Sequence, residues 1–151
     1  MPRLHETIDT RLPQQDTFDF IADFANSQVW DPGTITSKRL GGTGVGTGTS
    51  YALTVKVGRG TAPMVYTIET YEPHTRVVLR GEGETVSALD DIRFEATADG
   101  GTRVDYTADI QLKGWMRLLT PFLGGAFRKL GEDARTGMTA ALAERAAAAG
   151  R

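Results

Sequence analysis

The sequence predicts an α+β fold in which an antiparallel sheet is covered by a long C-terminal helix. Residues 4–12 alternate between apolar and polar side chains, as a half-buried strand does. Residues 49–112 contain further alternating runs that are separated by turn residues, which predicts a meander. Residues 122–145 carry apolar or small side chains at steps of three and four, the spacing of an amphipathic helix.

Two short helices are predicted between the first strand and the meander. Pro13 is expected to open the first of them, because proline fits the first helical position, where its missing N–H costs no hydrogen bond. Phe18 and Ile21 lie at helical spacing behind it. The second helix should reach Val29, because the residue before Pro32 avoids the helical region. The expected order is one strand, two helices, six strands and one helix.

The final helix is predicted to begin at Thr120 and Pro121, which form an N-cap followed by a proline in the first turn. It contains several glycines, each of which costs roughly 1 kcal/mol of helix propensity relative to alanine. They are expected to leave room for a ligand, permit close contact or allow bending, with a hinge at Gly124 and Gly125. The apolar cluster before the helix is predicted to line a cavity mouth, form a dimer contact or cover the core; it consists of Trp115, Met116, Leu118 and Leu119.

The glycine-rich segment 41–48 does not match either of the common nucleotide-binding patterns. It is followed by a strand, whereas a phosphate site needs a helix N-terminus. A hairpin connection is therefore expected here.

Composition excludes several classes of function. With 17 basic and 19 acidic residues the formal charge is −2, and no run of like charges indicates nucleic acid as a partner. The absence of cysteine excludes disulfides and thiol chemistry. No segment has the roughly 18 apolar residues of a membrane span, and the N-terminus does not resemble a signal peptide. One domain over residues 1–151 and a cytoplasmic location are expected.

No metal or cofactor is expected either. The chain has two histidines; His5 falls on the wet side of the first strand and His74 in a turn, so the two do not form a familiar metal cluster. A Ser/His/Asp arrangement with a nucleophile elbow is also missing.

Several short motifs, taken in order, resemble the START-like (SRPBCC) superfamily, and within it the polyketide cyclase/dehydrase and lipid-transport group. They are Leu12-Pro13 before a helix, Trp30-Asp31-Pro32, Tyr66–Pro73, Gly101–Val104 and the long last helix. The resemblance covers essentially the whole chain. It implies a helix-grip fold, in which a curved sheet of seven strands wraps the last helix and encloses a hydrophobic cavity.

The resemblance leaves function open, because fold alone does not determine it. The first hypothesis is binding or carriage of a hydrophobic small molecule such as a lipid, an isoprenoid or a polyketide-like compound. The second is a polyketide cyclase/aromatase that acts in the same cavity. The third is a protein-interaction module without a ligand. Carriage is favoured over catalysis because no set of acid, base and oxyanion donors is visible. The oligomeric state, monomer or homodimer, is left open.

The candidate ligand-binding residues share the concave parity of the strands, the inner stripe of the last helix or, for Trp30, the turn motif. They are Trp30, Tyr51, Leu53, Tyr66, Leu79, Asp90, Phe94, Tyr106, Phe122, Phe127, Leu130 and Met138. Taken singly, each of these residues is equally explained as core; taken as a set, the resemblance implies a cavity wall.

Polar residues on the same parity are more informative. Asp90 falls between Ala88 and Ile92 and is expected to point inward, as is Glu6 on the first strand, although an unpaired buried carboxylate is costly. Asp90 is a candidate hydrogen-bond acceptor or general acid/base, with Tyr106 as a second weak catalytic candidate. The alternatives are a bulge that turns Asp90 outward, or a pairing with a neighbouring tyrosine or arginine.

Overall fold

A computed structural model describes residues 3–150. The helices and strands follow in the order β1 (Arg3–Thr10), α1 (Gln14–Ala22), α2 (Ser27–Trp30), β2 (Thr34–Leu40), β3 (Ser50–Val57), β4 (Gly60–Glu72), β5 (Arg76–Gly83), β6 (Val86–Ala96), β7 (Thr102–Leu112) and α3 (Gly124–Ala149). A 3₁₀ turn at Phe24–Asn26 joins α1 to α2. A longer 3₁₀ segment, Gly114–Phe122, joins β7 to α3.

The strands form one seven-stranded sheet in the order β1-β7-β6-β5-β4-β3-β2, and every neighbouring pair is antiparallel. The α+β class, the curved sheet and the order of elements are thus confirmed. The glycine-rich segment connects β2 to β3, which pair with each other, so it is the expected hairpin connection. Strand β1 pairs with β7, so the chain's first and last strands are adjacent.

Three helices share the task of covering the concave face of the sheet. Sequence patterning assigned this task to the last helix alone, but Phe18, Ile21 and Phe24 from the first two helices and their connecting turn are also buried in the core. Helix α3 packs mainly against β1 and α2. Its buried positions lie in its middle and C-terminal turns, from Gly131 to Leu142. In the first turn of α3, Gly124, Gly125 and Ala126 are exposed.

Helix α3 is held close to the turn after α2 by a glycine. A Cβ atom on Gly137 would lie 2.1 Å from the carbonyl oxygen of Trp30 and 2.9 Å from Cδ of Pro32, distances that no real side chain tolerates. Glycine therefore lets the two backbones touch, and this contact fixes where α3 crosses the sheet.

The start of α3 differs from the prediction. The helix begins at Gly124, after Leu123, and not at Thr120 and Pro121, because the preceding residues form the 3₁₀ segment. Gly114, with φ of +61°, starts that segment by a turn that favours glycine. Gly124 and Gly125 stand at the junction of the two helices.

The 3₁₀ segment does not cover the core. Trp115 and Leu118 are 70% and 77% exposed, so a core-covering role for these two side chains is wrong. Phe122 is 82% exposed, and the expectation that it faces the sheet is also wrong. The physical reason is the segment's geometry: the helical stripe was extended back into residues that belong to a 3₁₀ helix, whose side chains follow a three-residue period.

Within residues 3–150, no helix is both long enough and apolar enough to span a bilayer.

The contact at Gly137 leads to a prediction about stability. Replacing glycine by alanine stabilises an ordinary helix interior. Gly137→Ala should instead lower the free energy of unfolding by about 1–3 kcal/mol, because the new methyl group overlaps the Trp30 carbonyl. Gly125→Ala is the matched control on the same helix, since its Cβ meets no atom within 4 Å. It should raise stability by about 0.4–1 kcal/mol. Urea unfolding of the three proteins measures both; a stabilised Gly137→Ala protein would contradict the close contact.

Candidate functional site

A cavity lies between the concave face of the sheet and the N-terminal half of α3. Its volume is about 90 Å³, which is room for several water molecules or a small organic group. The residues that line it come from four strands, the turn after α2, and α3: Leu4, Glu6, Ile8, Asp31, Tyr66, Ala88, Asp90, Tyr106, Ala108, Ile110, Leu130, Gly131, Ala134, Arg135 and Met138. Nine of the fifteen are apolar or glycine, and the six polar residues include the bonded pairs Asp90–Tyr106 and Glu6–Arg135.

Asp90 is the buried carboxyl group at the centre of this polar set. It points inward from β6 and is 4% exposed, as strand parity predicts. The hydroxyl of Tyr106, on the neighbouring strand β7, donates a hydrogen bond to its Oδ2. The two residues are brought together by register, because Asp90 pairs with Ala108 and Tyr106 lies two residues further along the same face. The bulge that would turn Asp90 outward is therefore excluded, and the pairing with a tyrosine is present.

Burial controls the protonation of this carboxyl group. Loss of solvent raises the pKa of Asp90 to about 7; the hydrogen bond from Tyr106 acts in the opposite direction, and the nearby Asp31 raises it further. Burial also raises the pKa of Tyr106 well above its usual range. Near neutral pH the site thus holds a neutral phenol and a carboxyl group that is close to half protonated.

Tyr66 reaches the same polar set from β4 because the opposing residue is glycine. Gly81 pairs with Tyr66 across β4 and β5, and a Cβ atom there would lie 2.5 Å from Cζ of the tyrosine ring. The ring therefore lies over the backbone of β5, directed toward β6. Burial raises the pKa of Tyr66 well above its usual value, and the negative charge of Asp90 adds to the effect.

Asp31 faces the cavity from the turn after α2. Its Oδ1 accepts the backbone N–H of Gly33 at 2.9 Å, and its Oδ2 accepts the hydroxyl of Thr34 at 3.1 Å. Burial raises the pKa of Asp31, and these two hydrogen bonds oppose that change. Its first task is to close the turn, because both oxygens are already engaged in local bonds.

Glu6 and Arg135 form the charged part of the cavity wall. Nε of Arg135 lies 3.2 Å from Oε2 of Glu6, which links α3 to β1. The glutamate side chain is 25% exposed and that of the arginine 49%, so the pair stands at the border between cavity and solvent. Gly131, one turn before Arg135, leaves room for the glutamate: a Cβ there would lie 3.3 Å from its Oε1.

The predicted ligand-binding residues fall into three groups. Five line the cavity: Tyr66, Asp90, Tyr106, Leu130 and Met138. Five others are buried in the core but do not line it: Trp30, Tyr51, Leu53, Leu79 and Phe94. The last two are Phe127, which is partly buried against the core without reaching the cavity, and Phe122, which is exposed. The cavity thus occupies only the part of the concave face near β1, β6 and β7.

Trp30 packs against Tyr106 without lining the cavity itself. It is 1% exposed, and its ring packs edge-on against Tyr106 with ring centres 5.8 Å apart. It therefore restricts the position of the phenol that bonds to Asp90.

Two polar lining residues, Asp31 and Arg135, were not predicted. Asp31 was assigned only to a turn, and Arg135 lay outside the apolar stripe of the helix. Glu6 was expected to point inward, but its pairing with Arg135 joins residues 129 positions apart in the chain. A signal for Tyr66 did exist, since Gly81 sits inside a strand, where glycine often marks close approach by another group. Within residues 3–150, no three His, Asp or Glu side chains are close enough together to hold a metal ion.

The position of Asp90 predicts a pH-dependent stability. In the unfolded chain it ionises near its ordinary pKa of 3.8, but in the native protein near 7. Between these values the native state binds the extra proton, so its stability falls as pH rises from about 4 to about 7. Asp90→Asn lacks the ionising group, so its stability should not show this fall. The difference in free energy of unfolding, Asp90→Asn minus wild type, should therefore increase by up to about 4 kcal/mol from pH 4 to pH 7.

Asp19→Asn, at an exposed position of α1, is the control for removing one carboxylate from the chain. The measurement is chemical unfolding at several pH values. Parallel profiles for wild type and Asp90→Asn would show that Asp90 ionises alike in both states.

Comparison with known proteins agrees with this architecture. A protein from Thermus thermophilus has 16% identity and a TM-score of 0.78, with 99% of this chain and 100% of that chain covered. A START superfamily protein from Mycobacterium smegmatis has 10% identity and a TM-score of 0.77, covering 93% and 96%. A Streptomyces aromatase/cyclase has 17% identity and a TM-score of 0.63, covering 98% and 87%.

At these identities the structural likeness establishes the fold alone. No curated protein matches the sequence. The sequence profile described as polyketide cyclase/dehydrase and lipid transport, however, matches residues 1–147, nearly the whole chain. This chain therefore belongs to the polyketide cyclase/dehydrase and lipid-transport family.

Proposed function

We propose that this protein binds and carries a hydrophobic small molecule, of the lipid, isoprenoid or polyketide-like class, with a polar group of the ligand directed at Asp90 and Tyr106. The observation that carries the proposal is the buried Asp90–Tyr106 pair at the foot of a cavity whose other walls are mostly apolar. Ligand sites commonly combine apolar walls with a few convergent polar groups. Tyr106 engages Oδ2 of the carboxyl group, and the open space beside it leaves room for a further hydrogen bond to a ligand.

The protonation of Asp90 suits it to two kinds of ligand group. When protonated, the carboxyl group donates a hydrogen bond to a ketone or ester oxygen. When ionised, it accepts one from a hydroxyl group. Because its pKa is about 7, both forms are present near neutral pH, and the ligand selects the form it needs.

The size of the cavity limits the ligand. A volume of about 90 Å³ is below the 300–1,000 Å³ typical of sites for drug-sized ligands. The closed arrangement therefore suits a small ring or the polar end of a longer molecule. A longer ligand requires the N-terminal turns of α3 to move outward, where Leu130 is only partly buried.

A cavity-filling variant tests the site. Ala134→Leu adds bulk to the cavity wall, whereas Ala140→Leu makes the same change on the exposed side of the same helix. With 2-naphthol as a fluorescent probe, Ala134→Leu should weaken binding at least about ten-fold and Ala140→Leu should not. Naphthalene, which lacks the hydroxyl group, should bind roughly two- to ten-fold more weakly than 2-naphthol, the contribution of one hydrogen bond.

Native mass spectrometry of protein purified from its own host should find a co-purifying apolar mass that Ala134→Leu reduces. The proposal would be rejected if no apolar mass co-purified with the protein and the affinity for 2-naphthol were the same in wild type and Ala134→Leu.

Polyketide cyclisation is the second candidate, favoured by the pKa of Asp90 and by the phenol beside it. The Asp90 carboxylate would take a proton from the carbon between two ketones, and the resulting enolate carbon would attack a third carbonyl carbon. The new alkoxide would then regain the proton from Asp90, so that acid and base are restored. The aromatase/cyclase among the structural neighbours makes this chemistry worth testing.

If a poly-β-ketone is turned over, the rate should rise with pH to a plateau, with its midpoint near 7, because only ionised Asp90 is a base. Asp90→Asn should abolish turnover. In the wild-type protein the hydrogen bond from Tyr106 lowers the pKa of Asp90. Tyr106→Phe removes this bond, so the pKa of Asp90 and the midpoint of the rate profile should both rise. A pH–rate profile with the same midpoint in wild type and Tyr106→Phe would exclude Asp90 as the base.

A further inference from the structure

The 3₁₀ segment presents three large apolar side chains to solvent. Trp115, Leu118 and Phe122 are the most exposed large apolar residues among the described part of the chain, and we call them the apolar ridge. In a 3₁₀ helix, residues three apart point in the same direction, so Trp115 and Leu118 project together. Phe122 is exposed at the end of the same segment. Exposed apolar side chains that lie together commonly mark a site of interaction.

The charge around the ridge has one sign. Residues 110–131 contain four cations, at Lys113, Arg117, Arg128 and Lys129, and no acidic residue, although the whole chain carries a net charge of −2. Lys113 bonds to Glu82, and Lys129 bonds to Asp133. Within residues 3–150, no ion pair involves Arg117 or Arg128. These two arginines are therefore available to an anionic partner.

We infer that the apolar ridge and its flanking arginines dock this protein on the surface of an anionic lipid bilayer. Tryptophan, leucine and phenylalanine enter the boundary between headgroups and acyl chains, where the indole ring is favoured. Arg117, within the segment, and Arg128, near the start of α3, supply the positive charges that attract lipid phosphates. The ridge projects as separate side chains on a short segment that lies between two glycine-containing junctions, Gly114 and Gly124, which suits insertion into a deformable surface.

A second copy of the chain is a poorer occupant. A two-fold contact through the ridge would place Arg117 of one protomer near Arg117 of its partner, and like charges oppose such a contact. An anionic bilayer, by contrast, attracts both Arg117 and Arg128. The inference does not depend on the identity, or the presence, of a ligand in the cavity.

Vesicle co-sedimentation tests the inference directly. The protein should bind vesicles of phosphatidylcholine with phosphatidylglycerol and show little binding to phosphatidylcholine alone. Arg117→Gln with Arg128→Gln should weaken the partition roughly 30-fold, about five-fold for each charge. Replacing Trp115, Leu118 and Phe122 by serine should abolish binding. Arg59→Gln and Val65→Ser, at exposed positions on other elements, are the matched controls and should bind as wild type.

Fluorescence gives a second, independent measurement. The chain has two tryptophans, of which Trp30 is buried and Trp115 exposed, so a change on adding vesicles reports on the ridge. Anionic vesicles should shift the emission to the blue and protect it from acrylamide. Equal binding to neutral vesicles, or no binding, would overturn the inference. Self-association that the ridge variants abolish, with no vesicle binding, would overturn it in favour of a second copy.

Discussion

The contact between Gly137 and the carbonyl group of Trp30 fixes the relation between the last helix and the sheet. Because no Cβ separates the two backbones, α3 approaches the turn after α2 as closely as chains permit. The same turn carries Asp31 into the cavity and keeps Trp30 against Tyr106. The close approach at Gly137 therefore positions α3 beside the cavity, and it also holds α3 against the turn that carries Trp30 and Asp31.

The cavity exists because residues of different size cover the two parts of the concave face. Aromatic side chains from α1, α2 and the turn between them fill the concave face beside Tyr51 and Phe94. Near β1 and β7 the cover comes from α3, where small residues such as Gly131 and Ala134 face the sheet. Ala88 and Ala108 on the opposite wall are small as well. Large residues thus build the core and small ones leave the space, which is a matter of volume rather than of polarity.

The alternation of apolar and polar side chains along each strand predicted which residues face the concave side of the sheet. Alternation along β1, β6 and β7 placed Glu6, Asp90 and Tyr106 on the inner face, and the structure has them there. Alternation does not tell which inner residues are core and which line a cavity, since Leu79 and Tyr66 share a parity but only one of them reaches open space.

What patterning missed depends on geometry between distant segments. The ion pair of Glu6 with Arg135 and the approach of α3 at Gly137 join residues that lie far apart in the chain, and no local period encodes them. Phe122 failed for a different reason. The sequence spacing extends the α-helical stripe back through Thr120 and Pro121. The chain changes from a 3₁₀ helix to an α-helix at Leu123, so the side chains before Leu123 do not follow the α-helical period.

The two halves of α3 consequently have different mechanical roles. Met138 and Leu142 are almost fully buried and adjoin the contact at Gly137, so movement there would disrupt the core. Leu130 and Ala134 are only partly buried, and the exposed ion pair of Arg135 with Glu6 is worth little once solvent competes for it. Access to the cavity therefore favours the N-terminal half, which continues into the 3₁₀ segment and its exposed ridge.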